Sequence, residues 1–312
     1  MEKNSKLIYI VYCFLIIVAT FIFSIKIIEN SITGRFVYQY SVVSNYSFKC
    51  ENFVTGAVSR IFAFSIRPIN YSFERPKNAF RIIAIGDSFT YGFKVNSNEA
   101  YPVVLENMLN KNASKGMRFE VLNLGVLGYD MIEKSKILKN LGLKYKPDLV
   151  ILQWLNNDVW NKTRLKMIFR DLSIDYCQKN NLTDMVPQRV YDSLYMESCK
   201  IHLKQLENEK FEDVWKPVKE SMYEIKYLTD EKNITVLFLI VNIPEWDYSK
   251  YDLAAIQTAN NYGWMVIDMG NVYRNYDQSL LVISKTDSHP SIFAHKLIAE
   301  QIYKKLENFI PK

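Results

Sequence analysis

The sequence predicts an α/β domain organised on a parallel sheet with right-handed crossovers, and three observations predict it. Ile82 to Ile85 is a short, largely β-branched run closed by Gly86, the pattern of a strand covered on both faces rather than of a helix. From that run to Trp154 strand-like and helix-like stretches alternate, and the alternation resumes from Lys219 to the C-terminus. Strand, helix, strand at this spacing makes parallel pairs joined by crossovers. With 312 residues, 49% hydrophobic and 23% charged, the chain can bury a full core, and its composition is not that of a disordered protein.

Taken in order, the first strand runs through Ile82–Ile85 into the turn Gly86-Asp87-Ser88. Ser97 or Asn98 can cap the next helix, whose apolar positions Tyr101, Val104, Leu105, Met108 and Leu109 follow helical spacing, with Pro102 acceptable in its first turn. A strand at Phe119–Leu124 leads to the turn Gly125-Val126-Leu127-Gly128 and a helix through Ile137, Leu138 and Leu141. Pro147 ends that region, and Asp148–Trp154 is the third strand. Residues 160–218 break the rhythm: they are polar and mixed in charge, with helical stretches around Arg189–Leu206, and read as an insertion that serves either as a lid or as surface decoration. The pattern then returns as a helix near Lys219–Thr229, a strand at Ile234–Val241, a helix at Leu253–Asn261, a strand at Trp264–Asp268 and a last helix from Ser291 to Phe309.

The N-terminus carries a different signal. Leu7 to Ile25 contains no charged side chain and is flanked by Lys3, Lys6 and Lys26, long enough to cross a bilayer and lacking a convincing cleavage site. The expectation is an uncleaved membrane anchor over residues 1–28, a stalk over 29–78 and the main domain over 79–312, placed outside the cytoplasm in a single-pass protein. The net charge of +6 is scattered, without a dense basic run or a nucleic-acid motif, so no nucleic-acid partner is expected. Of the four cysteines, Cys13 lies in the anchor stretch and Cys50 in the stalk; Cys177 and Cys199 read equally well as a disulfide or as two free thiols. Cys199 and His202 make at most half a metal site, and with three histidines in the chain neither a metal nor a cofactor is expected.

The chemistry lies in four turns that leave the sheet: Gly86-Asp87-Ser88, Gly125-Val126-Leu127-Gly128, Asn156-Asn157-Asp158 and Asp287-Ser288-His289-Pro290. Acyl transfer needs a nucleophile, a base, a group to hold the base, and donors for the oxyanion. Ser88 can attack, His289 can take its proton, and Asp287 can orient the imidazole. The backbone N–H groups of Ser88 and Gly128 and the Asn157 amide can form the oxyanion hole: a backbone donor close to substrate tolerates no Cβ, and a neutral amide offers N–H without a competing charge. His202 falls in the insertion and His295 within the terminal helical pattern, so His289 is the better base.

Gly-Asp-Ser-Phe-Thr-Tyr-Gly, the glycine turn, Asn-Asn-Asp and Asp-x-His-Pro, in that order, resemble the SGNH/GDSL hydrolases. The resemblance spans residues 79–312 apart from the insertion. It implies a flavodoxin-like three-layer sandwich and metal-free ester hydrolysis through an acyl-serine, with Ser88 as nucleophile, Gly128 and Asn157 as oxyanion donors and Asp287 and His289 completing the triad. Two departures stand out: Asn156 occupies a place where glycine is common, and only Ser288 separates Asp287 from His289 where the family usually has two residues. The expected activity is a membrane-anchored serine esterase removing short acyl groups, acetyl first, from an ester substrate such as an acylated envelope polysaccharide. The alternatives are an O-acyltransferase using the same acyl-enzyme, or a lipase or lysophospholipase.

Overall fold

The computed structural model describes residues 71–160, 162–181, 188–242, 250–285, 287–307 and 309–310. Five strands, β1 (Ala79–Gly86), β2 (Arg118–Gly125), β3 (Leu149–Trp154), β4 (Thr235–Ile240) and β5 (Met265–Asp268), form one sheet in the order β2-β1-β3-β4-β5. Every neighbouring pair is parallel. This is the flavodoxin-like order, with the topological switch point between β1 and β3.

Because successive side chains of a strand point to opposite faces, the continuous apolar runs supply two cores at once. Ile82 and Ala84 of β1 join one cluster while Ile83 and Ile85 join the other. The first cluster packs under α2 (Tyr101–Lys111) and α10 (Ile292–Leu306), through Tyr101, Leu105, Leu297, Ile298 and Ile302. The second packs under α3 (Met131–Asn140), α6 (Phe211–Asp230) and α7 (Lys250–Asn261), through Met131, Leu138, Trp215, Met222 and Ala255. Helices on both faces give a three-layer sandwich, and they explain why the strands are apolar throughout rather than alternating.

Helix α6 begins at Phe211 rather than near Lys219, and Val214, Trp215 and Val218 from that first part sit in the core. Pro217 lies within the helix; a proline in a helix interior removes a hydrogen bond and interrupts the helical pattern of a sequence. The inserted segment contains α4 (Lys162–Lys179) and α5 (Gln188–Glu207), which share a small core of their own around Phe169, Cys177, Leu194 and Tyr195. Cys177 is disulfide-bonded, whereas Cys199 is a buried free thiol, so neither sequence alternative for the pair holds.

Two further features were absent from the sequence reading. Short helices α8 (Met269–Tyr273) and α9 (Gln278–Leu281) follow β5, and a small antiparallel ladder joins β6 (Val282–Ser284) to β7 (Asp287–Pro290). The Asp287–Pro290 block is therefore a strand rather than a turn leaving the main sheet.

The membrane expectation is corrected. Among the described residues no helix is long and apolar enough to cross a membrane. The stretch Leu7–Ile25 on which the anchor was placed lies outside the described residues, as does almost all of the stalk. The transmembrane helix, the membrane partner and the single-pass, extracytoplasmic placement are withdrawn.

Candidate active site

The position of Ser88 follows from how β1 ends. Asp87 caps the one-turn helix α1 (Ser88–Tyr91), its Oδ1 accepting the Phe89 N–H at 2.8 Å. Gly92 closes that turn in the left-handed region, its N–H donating to the Ser88 carbonyl at 3.1 Å, and the Phe93 N–H donates to the same carbonyl at 3.0 Å. The buried Gln153 of β3 fastens the turn from behind: its Oε1 accepts the Asp87 N–H at 2.8 Å and the Thr90 hydroxyl at 3.3 Å. Ser88 is thus held, half-buried, at the carboxyl edge of the sheet beside the switch point, where open α/β sheets bind their ligands.

His289 reaches Ser88 from β7. Its Nε2 is 3.0 Å from Ser88 Oγ, and its Nδ1 is 2.6 Å from Asp287 Oδ1. A strand puts residues i and i+2 on one face, so within β7 the spacing with a single intervening residue brings this carboxylate beside this imidazole. The same Oδ1 accepts the His289 backbone N–H at 3.1 Å. An ionised carboxylate can only accept, so Nδ1 carries the proton and Nε2 is left to accept from the serine hydroxyl. The imidazole packs against the Phe93 and Phe89 rings, with centroids 4.8 and 5.5 Å away. The hydrogen bond from His289 holds the Asp287 carboxyl well below the usual carboxylate range, Lys94 adds to this, and burial works against both.

The two remaining sequence-chosen residues sit on the adjoining turns. Gly128 adopts φ 71, a left-handed conformation that glycine takes without a Cβ penalty. Its turn is tied to the segment around Ser88: the Val126 N–H donates to the Gly86 carbonyl at 3.0 Å, and Asn123 Nδ2 donates to the Thr90 carbonyl at 2.8 Å. Asn157 lies in the 3-10 turn Asn156–Val159 after β3. The next residue, Asp158, is fully buried and accepts from Lys134 Nζ at 2.7 Å through both oxygens, while its Oδ2 also accepts the Leu155 N–H at 2.8 Å. Burial raises the Asp158 carboxyl and Lys134 opposes that rise. Asn242, just past β4, accepts the Asn156 N–H at 3.0 Å through Oδ1. The structure therefore joins Ser88, His289 and Asp287 by direct hydrogen bonds and sets Gly128 and Asn157 on the neighbouring turns of the same edge.

The other histidines are packed elsewhere. His202 of α5 is buried edge-on to Trp160 at 5.9 Å, which brings the inserted pair of helices to the end of the Asn157 turn. His295 is buried in α10, where its Nδ1 accepts the Tyr101 N–H at 3.3 Å. No group of three or more potential metal ligands occurs among the described residues.

Sequence reasoning missed Gln153, Lys94, Lys134 and Asn242. Gln153 had a signal, being the one polar residue in the apolar run Leu149–Trp154, since a polar side chain inside a covered strand needs a partner. Lys94 had none: its Nζ lies 2.5 Å from Asp287 Oδ2, across 193 residues of sequence.

No family model matches the chain, and no curated protein matches it. Among solved structures, LAE5, an α/β hydrolase enzyme from the metagenome of Lake Arreo, Spain, is similar with a TM-score of 0.50 at 14% identity, over 77% of this chain and 99% of its own. The Clostridium thermocellum family 3 carbohydrate esterase gives 0.48 at 14% identity, over 74% and 96% respectively. A G-D-S-L family protein from Desulfitobacterium hafniense DCB-2 gives 0.44 at 18% identity, over 72% and 99%. The last two scores are too low to carry an argument. At such identities the likeness to LAE5 speaks to the fold alone: the chain shares its α/β architecture with a solved hydrolase.

Proposed function

We propose that the chain is a serine-dependent ester hydrolase of the SGNH/GDSL type, with Ser88 as nucleophile, His289 as general base and acid, and Asp287 as the group that orients the imidazole. One observation carries this reading. The unbroken chain from Ser88 Oγ to His289 Nε2, at 3.0 Å, and from His289 Nδ1 to Asp287 Oδ1, at 2.6 Å, stands at a sheet edge suited to ligands. The ordered sequence blocks add the oxyanion donors.

In the first half-reaction Ser88 Oγ bonds to the ester carbonyl carbon as His289 Nε2 takes the hydroxyl proton. The negative charge that develops on the carbonyl oxygen meets the Ser88 and Gly128 N–H groups and the Asn157 amide. Asp287 stabilises the imidazolium without taking its proton. Collapse breaks the ester C–O bond, and His289 returns the proton to the departing alcohol. Water then attacks the acyl-serine with the same base, releasing the acid and regenerating Ser88. The residues suffice without a metal or cofactor.

The test is hydrolysis of p-nitrophenyl acetate with fluorophosphonate labelling. The wild-type protein should label at Ser88, and Ser88→Ala should fold normally while losing at least ~10³-fold in kcat. A Ser88→Ala protein that keeps most of its activity, or a label found on another residue, overturns the proposal.

A further inference from the structure

The loop after the nucleophile carries a cation to the far side of the carboxylate that holds the base. Gly92 and Phe93 both donate to the Ser88 carbonyl, so residues 92–95 are fastened to α1. Lys94 in that loop adopts φ 63, a region unfavourable to a residue with a Cβ. In this conformation its Nζ reaches Asp287 Oδ2 at 2.5 Å, and it also lies 5.6 Å from the centre of the Phe93 ring that packs on His289. The two oxygens of Asp287 are thus divided: Oδ1 serves His289 and Oδ2 serves Lys94.

Resting on the proposed hydrolase reading, we propose that Lys94 is a positioning residue of the Ser88–His289–Asp287 arrangement, fixing Asp287 so that Oδ1 stays on His289 Nδ1. A carboxylate bound through one oxygen can rotate about its side-chain torsions; bound through both, it is locked. The lock also joins the strand bearing Asp287 and His289 to the loop bearing the nucleophile. The other titratable groups on elements packed against β7 are Asp87 and Tyr91 beside Ser88, Lys285 between β6 and β7, and His295, Lys296, Glu300, Tyr303, Lys304 and Lys305 on α10. Lys296 pairs with Glu300, and His295 accepts from the Tyr101 backbone. Asp287 itself pairs with both His289 and Lys94.

The experiment compares wild type with Lys94→Met, Lys94→Arg and the exposed control Lys304→Met, measuring kcat and KM for p-nitrophenyl acetate from pH 5 to 9. Rates are expressed per fluorophosphonate-titrated site, alongside thermal midpoints. All the residues placed at position 94 have a Cβ, so the left-handed backbone affects them alike. Because Lys94 is half exposed, its side chain at 51%, solvent and salt weaken its hold on the carboxylate, and the expected effect is modest. In Lys94→Met kcat should fall by ~3- to 10-fold with KM within about twofold. Lys94→Arg should restore kcat, and Lys304→Met should match wild type. A Lys94→Met protein with kcat near wild type across the pH range overturns the role of Lys94 and leaves the hydrolase reading intact. Hydrolysis that proceeds equally in Ser88→Ala overturns both.

Discussion

Gly125 sits where β2 ends, and replacing it with alanine tests whether the exact seat of the nucleophile helix controls the chemistry. A Cβ built there lies 2.2 Å from the Tyr91 nitrogen, 2.7 Å from the Thr90 carbonyl carbon and 2.8 Å from Tyr91 Cα. Relief to the ~3.4 Å of an ordinary close contact requires roughly 1 Å of movement. All three atoms are main chain, so no rotamer change supplies that movement. The strand end resists: Gly125 pairs with Gly86 in the sheet, and its N–H donates to Asn123 Oδ1 at 2.9 Å. The helix that carries Ser88 is therefore what gives way. Overpacking of this kind costs ~1–3 kcal/mol, which for a domain of this size lowers the thermal midpoint by roughly 3–10 °C. A misplacement of about 1 Å costs on the order of 10²-fold in rate. The assay is kcat per titrated serine with the thermal midpoint, set against Gly116→Ala, where the backbone is left-handed at φ 91 but no atom lies within 4 Å of the new Cβ. The control should lose a little stability and no kcat. A Gly125→Ala protein with kcat within threefold of wild type and an unchanged midpoint would refute the reasoning.

Two further predictions address the Asn157 turn. Asn157→Ala should lower kcat by ~10²- to 10³-fold with little change in KM, because an oxyanion donor acts mainly in the transition state, while Asn156→Ala, whose backbone N–H still donates to Asn242, should do much less; kinetics of the two variants per titrated site decide it. Lys134→Met leaves the Asp158 carboxyl buried without its cation, a loss of ~3–5 kcal/mol at neutral pH measured by urea unfolding. The buried acid in that variant escapes by keeping its proton when folded, so the deficit is smallest below the unfolded value near 4 and grows as pH rises toward 8.

The parallel sheet and the Ser88 turn were legible because a covered strand and the turn after it are written locally: the Ile82–Ile85 run, then Gly86, Asp87 and Ser88. The turns that hold Gly128 and Asn157 were legible for the same reason, each following a strong strand. What escaped reading depends on partners remote in sequence. Strand β7 has only four residues and pairs with three, with an irregular register between Val282 and Ser284, so no run of apolar or β-branched residues announces it. It is held instead by closure against its neighbours, with the Ser291 N–H donating to the Leu281 carbonyl at 2.9 Å. Lys134 illustrates the opposite difficulty. A lysine in an amphipathic helix reads as solvent-facing, yet here its side chain is fully buried and donates to the Gln153 carbonyl as well as to Asp158, a role that only the β3 turn folded beneath it can reveal.

The short spacing between Asp287 and His289 has a conformational origin. An aspartate can meet the Nδ1 of a following histidine by more than one local route, and each route fixes its own spacing. On an extended backbone the alternation of side chains returns to the same face after two residues, and Asp287 and His289 stand at that interval within β7. A chain that curls between the two residues would need a different count to bring the groups together. One intervening residue is therefore the spacing that an extended backbone requires, and the 2.6 Å contact follows from the strand. The same extension leaves Asp287 Oδ2 turned away from the histidine and open to a partner from another element, the place that Lys94 fills from the nucleophile loop. Spacing and partner thus form one arrangement: inserting a residue between Asp287 and His289 would put the carboxylate on the opposite face of the strand, parting it from the imidazole and from Lys94 together.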